Sequence, residues 1–206
     1  MKRKTKSITA TDKAKQIIRK RNGVIRTSEA IKASIHPRTL YALYSQGVLE
    51  QISRGVYRLT ELPAISMPDL VTVSFRSPKG VICLVSALAF HEITTQVPHK
   101  VSIAIEEGTR APRIDFPPVS VYRFRRKSYQ AGIEIHNIDS VNIRIYSPEK
   151  SLADCFKFRE KVGIDVVLEA LKLYRAKKRF RVDEILKYAR ICRVEKVMRP
   201  YLEALI

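Results

Sequence analysis

The 206-residue chain carries 39 Lys and Arg against 20 Asp and Glu, a formal net charge of +19 with a sequence pI near 10.1. An apolar share of 45%, including seven Phe and nine Tyr, supports a packed core and excludes wholesale disorder, and the few Gly and Pro exclude a fibrous chain. Charge of this size points to a polyanionic partner, with nucleic acid the first to test.

The charge is concentrated at the start, where residues 1–60 hold 14 basic and three acidic side chains. Lys2, Arg3, Lys4 and Lys6 have no apolar segment behind them, so they are no signal peptide. They read either as a flexible basic arm adding a sequence-blind, salt-dependent attraction or as a solvated tail. Asp12 then caps a predicted helix over 12–21, with Ala14, Ile17 and Ile18 at core spacing and Asn22-Gly23 as its stop. Thr27 or Ser28 caps a short second helix over 29–33, with Ala30 and Ile31 inward. Pro37 suits the first turn of a third helix over 38–46, whose buried stripe is Leu40, Leu43, Tyr44 and Val48. Two β-prone runs, 49–52 and 56–59, flank the turn Ser53-Arg54-Gly55 and read as a hairpin. Helix, helix, turn, helix, hairpin is the order of a winged helix-turn-helix.

A Pro-punctuated stretch over 61–68 reads as a linker. Residues 71–75 fit a strand or a helix end, and 81–90 fit a buried helix, too short to span a membrane. Alternation marks strands over 100–105, 119–124, 133–138 and 141–146. Ser147 and Pro148 then open a helix that Gly163 ends, before further helices over 165–177, 182–191 and 195–205. The expectation is an α+β protein: an N-terminal winged helix-turn-helix over 1–60, then a mixed α/β C-terminal domain over 69–206. Cys83, Cys155 and Cys192 are odd in number and set in apolar surroundings, as in reduced core residues of a cytoplasmic protein. His36, His91, His99 and His136 are scattered, so neither a metal site nor a cofactor is expected.

In a helix-turn-helix the third helix enters the major groove. With its apolar stripe inward, Arg38, Thr39, Ala42, Ser45 and Gln46 face outward and Tyr41 lies near the edge. Arg38 can fork onto guanine, Gln46 can pair with adenine, and the methyls of Thr39 and Ala42 can touch thymine. Ser28, at the start of the second helix, joins this set. Arg54 at the hairpin tip and Arg58 on its return strand suit the minor groove or its phosphates.

Catalytic patterns are missing from the sequence: there is no Gly-rich phosphate loop, no G-x-S-x-G and no H-E-x-x-H. Glu106-Glu107-Gly108 and Glu134-Ile135-His136 lack the Lys that a metal-dependent nuclease would place beside its carboxylates. The densest polar cluster is Glu149, Lys150, Asp154, Lys157, Arg159 and Glu160, its first four within two helical turns, read either as helical charge pairs facing water or as a polar knob on which another segment or molecule docks. Arg123, Arg125, Arg126 and Lys127, interleaved with Tyr122 and Phe124, form a second basic patch, a nucleic-acid contact or an exposed loop.

The runs Gly23-Val24-Ile25-Arg26-Thr27, Arg38-Thr39-Leu40-Tyr41-Ala42-Leu43, Gly47-Val48-Leu49 and Arg54-Gly55-Val56-Tyr57-Arg58-Leu59 are followed downstream by the run 81–89 and by 146–157. Together they resemble AbiEi-type antitoxins. The resemblance implies a bacterial type IV toxin–antitoxin module. Its antitoxin would bind double-stranded DNA at inverted repeats upstream of its own operon, repress it, and counter a nucleotidyltransferase-like toxin without requiring a stable complex. Competing readings are a ligand-sensing regulator without an antitoxin role and a nucleic-acid-processing enzyme.

Overall fold

A computed structural model describes residues 9–177 and 180–205, so the basic arm at Lys2, Arg3, Lys4 and Lys6 lies outside the described residues. The chain divides into two compact units, one of Met1–Pro68 with Asn137–Val141, the other of Asp69–His136 with Asn142–Ile206.

In the first unit, helix α1 (Ala10–Arg19) starts earlier than Asp12 because Thr9 is its cap. The Asp12 amide donates to Thr9 Oγ1 at 3.1 Å and the Thr9 amide donates back to Asp12 Oδ2 at 3.3 Å, a reciprocal capping box. Asn22 and Gly23 both adopt positive φ and turn the chain into a short strand, β1 (Val24–Arg26). Gly23, at φ +79°, takes a left-handed backbone conformation that a side chain would strain, and the tip of Leu62 packs where its Cβ would sit. Helix α2 (Thr27–Lys32) follows, then α3 (Pro37–Ser45), with Pro37 in its first turn and His36 Nδ1 accepting from the Arg38 amide. Strands β2 (Leu49–Ser53) and β3 (Val56–Leu59) form the expected hairpin. Strand β1 adds to its far side, giving an antiparallel sheet of order β1-β3-β2 with β3 in the middle. Ala14, Ile18, Ile25, Leu40, Leu43 and Leu59 are among the residues of this unit's core. Two residues expected inside are outside: Ile31 is 54% exposed and Tyr44 45%. A six-residue helix has one buried position to spend, and Ala30 takes it.

The second unit opens with α4 (Pro68–Arg76), which settles the ambiguity over 71–75 as helix. The run 81–90 divides into strand β4 (Val81–Ile82) and helix α5 (Leu84–Phe90), because the β-branched pair enters the sheet and the Ala- and Leu-rich remainder coils. Strands β5 (Val101–Glu106) and β6 (Val119–Phe124), helix α6 (Arg126–Gln130), and strands β7 (Ile133–Ile138) and β8 (Val141–Tyr146) follow. The sheet order is β6-β5-β4-β8-β7, with β4 antiparallel to β5, and β4–β8 and β5–β6 parallel. Helices α7 (Pro148–Lys157), α8 (Arg159–Val162), α9 (Ile164–Ala176), α10 (Val182–Cys192) and α11 (Glu195–Glu203) complete it. The class is mixed α+β, as expected. Helix α7 packs against α5, α9, α10 and α11, so it is enclosed on every face.

Candidate nucleic-acid interface

Helix α3 owes its position to Leu40 and Leu43, which are fully buried in the first unit's core. Arg38, Tyr41, Ser45 and Gln46 are exposed, and Thr39 and Ala42 are half-buried beside them. Helical spacing places Arg38, Tyr41 and Ser45 in one row. Tyr41 and Tyr44 both meet the buried Tyr57 edge-on, with ring centroids at 6.4 and 5.8 Å, which ties the outer face of α3 to the hairpin. Burial, with the two neighbouring phenols adding to it, pushes the Tyr57 hydroxyl above its ordinary pKa.

Arg54 is exposed at the hairpin tip. The neighbouring Gly55, at φ +73°, passes its carbonyl to α2: the Thr27 amide donates to it at 2.9 Å and Thr27 Oγ1 at 3.2 Å. These bonds pin the tip beside the start of α2, where Ser28 is exposed. Arg58 is different. It does lie on the return strand, but at 3% exposure it is not available there for the expected contact with the minor groove or its phosphates. Strand β3 is central in the sheet, and Arg58 sits opposite Glu50 in the β2–β3 register, so its Nη1 donates to Glu50 Oε1 at 2.6 Å. Its Nη2 donates to the Pro63 carbonyl. The guanidinium is a structural tie, and the equal spacing of Glu50 and Arg58 from the turn was the signal that could have shown it.

In the second unit the cluster on α7 is not a water-facing charge stripe. Lys150 and Asp154 are fully buried and Glu149 is 1% exposed; only Lys157 reaches solvent. Lys150 Nζ donates to Asp154 Oδ2 at 2.5 Å and lies 4.2 Å from the centre of the Tyr146 ring. Cys192 Sγ donates to the other Asp154 oxygen at 3.1 Å. Burial raises the Asp154 carboxyl above its usual range, and the opposing pull of Lys150 does not cancel it. The stem of Lys150 fits because Gly132, at φ +71°, has no Cβ; one built there would come within 2.6 Å of the Lys150 Cβ. Glu149 accepts from the Tyr174 hydroxyl and, at 2.8 Å, from Arg181 Nε. Burial works to raise its pKa, but these donors outweigh it and hold the carboxyl below its ordinary range. All three cysteines are buried thiols; burial pushes Cys83 and Cys155 well up and Cys192 up to about 12, so none is a ready nucleophile.

The basic run over 123–127 divides by side. Phe124 is buried, whereas Arg123, Arg125, Arg126 and Lys127 are exposed. Arg125 and Lys127 join Lys157, Arg190 and Arg193 around a cavity of about 530 Å³ whose floor includes Ser128 and Cys192. No acidic side chain lines it. Elsewhere in the unit, two histidines that the sequence scatters come together: ligand atoms of His91, Glu134 and His136 lie within 4.8 Å of one another. Burial lowers the pKa of His91.

Residues 12–60 match a family model described as the AbiEi antitoxin transcriptional regulator. The first unit thus carries an AbiEi-type segment. That segment spans α3, the hairpin and the expected contact residues from Ser28 to Arg58, and leaves out the basic arm and the 123–127 patch. Over nearly its whole length, the chain is similar in fold to the crystal structure of the RV2827C protein from Mycobacterium tuberculosis. The TM-score is 0.53 at 14% identity, over 94% of this chain and 80% of that one, a likeness of fold alone. No curated protein matches the chain. Among the described residues no helix is long and apolar enough to cross a membrane.

Proposed function

We propose that residues 1–60 form a winged helix-turn-helix that represses the protein's own operon by binding inverted repeats upstream of it. Residues 69–206, joined through 61–68, act as the antitoxin domain against a nucleotidyltransferase-like toxin. The protein works in the cytoplasm, without catalysis and without a lasting complex with the toxin. The observation that carries the reading is the coincidence of the AbiEi match over 12–60 with an exposed polar face on α3. In this reading α3 lies in the major groove, with Arg38 forked onto a guanine, Gln46 on an adenine, and Thr39 and Ala42 against thymine methyls. Tyr41, Ser45 and Ser28 contact the flanking backbone, and Arg54 reaches the minor groove or its phosphates. A reporter driven by the upstream region tests it together with toxin co-expression. The full chain silences the reporter and restores growth. A chain lacking residues 1–60 loses silencing and keeps protection; loss of protection as well would overturn the division of labour.

A second reading, a regulator that senses an anion, is favoured by one observation: the cavity of about 530 Å³ lined by five cationic side chains. Pyrophosphate added to the full chain distinguishes the two. A change in operator affinity that Lys157→Gln abolishes supports sensing, and an unchanged affinity supports the antitoxin reading alone.

A further inference from the structure

The run Glu134-Ile135-His136 fails as a nuclease motif, yet its alternation on β7 puts the carboxylate and the imidazole on one side of the strand. Their polar atoms converge, with His136 Nε2 3.0 Å from Glu134 Oε2. The third member comes from the end of α5. His91 Nε2 lies 2.7 Å from the Tyr146 carbonyl oxygen. A carbonyl can only accept, so Nε2 carries the proton and Nδ1 keeps its lone pair. This is the outer hydrogen bond that fixes tautomer and ring orientation in histidine ligands of metal ions.

From this geometry we infer that His91, Glu134 and His136 form a binding site for a zinc-class divalent ion. Two imidazoles and one carboxylate are the ligand set of open, tetrahedral zinc sites, which keep a fourth position for water. Ligands held at about 2.0–2.1 Å by a tetrahedral ion stand roughly 3.3 Å apart. The 3.0 Å contact between Glu134 and His136 already meets that spacing, and the whole trio lies within 4.8 Å, so side-chain rotation closes the remainder. Phe90 sets both rings: its centroid lies 5.1 Å from that of His91 and 4.8 Å from that of His136, edge-on in each case. The Glu134 and His136 side chains keep 40% and 30% exposure, which leaves a path for the ion and room for water. Nearby Lys177 donates to the backbone oxygen of His91 and leaves its ring alone. The bound ion would tie the end of α5 to β7 within the second unit.

The test is titration of the untagged full chain, stripped with chelator, by Zn²⁺ in a calorimeter and by Co²⁺ with its visible spectrum. The expected result is one ion per chain, a tetrahedral Co²⁺ spectrum, and a rise in melting temperature with Zn²⁺. His136→Ala and Glu134→Gln should each weaken binding at least about tenfold and remove the rise, while His99→Ala, at an exposed histidine outside the trio, leaves both unchanged. Melting curves in chelator show that the variants fold. Absence of binding at millimolar Zn²⁺, or binding that both variants retain in full, would overturn the site; the second result would assign the ion to other groups.

Discussion

Arg38 and Arg58 bear the same guanidinium and end in opposite environments. Arg38 is exposed on the first turn of α3, free to meet a base edge, whereas Arg58 is enclosed between strands and held by Glu50. Truncating Arg58 removes its bonds to Glu50 and the Pro63 carbonyl together with the packing of its own buried stem, so Arg58→Ala should lower stability by about 1–3 kcal/mol and leave base preference untouched. Chemical denaturation paired with binding to mutated operators checks both halves. Asp154 and Lys150 are more costly to separate, because a charge left alone in this interior has no water to turn to. Asp154→Ala should destabilise by about 3–5 kcal/mol, while the double variant Lys150→Met with Asp154→Leu recovers most of that loss. A double variant no more stable than Asp154→Ala would show that the pair is not acting as a unit.

At the scale of elements, what was legible was what local chemistry dictates. Pro37 and the Ser147-Pro148 pair announce α3 and α7, and Gly55 announces the hairpin. Strand β1 was hidden because three residues carry no period, and its partner β3 arrives only after two helices. Helix α7 misled in another way. Its charges satisfy one another at i,i+4 or through Tyr174 and Arg181, so a helix that reads as amphipathic can be wrapped on all sides. The clamp on Glu149 also has a pH signature. Its carboxyl is held below the ordinary value of 4.5, so the native state resists protonation more than the unfolded chain does. The stability it supplies is complete above about pH 4.5 and is lost as pH falls through the lower native value. Melting temperatures followed from pH 7 into acid should fall more steeply for the wild type than for Glu149→Gln; parallel curves would remove the clamp. Of the His91, Glu134 and His136 trio, only the pair on β7 was legible, two residues apart on one side of a strand; His91 joins it through the fold and by no spacing in the chain.

For the whole molecule, a charge of +19 supplies attraction to any polyanion, and in the proposed reading the outer face of α3 makes that attraction selective. The AbiEi-type segment concentrates the candidates for selection on α3 and the hairpin tip, in the part of the chain that is most basic. The most direct measurement is a footprint of the full chain on the DNA upstream of its own gene, at fixed salt, beside Arg38→Ala. The wild type should protect an inverted repeat. Arg38→Ala should lose about 1–3 kcal/mol of affinity and discriminate poorly at one base position in each half-site. A wild type that protects no preferred sequence, or an Arg38→Ala chain that reads the repeat as well as the wild type does, would contradict the account.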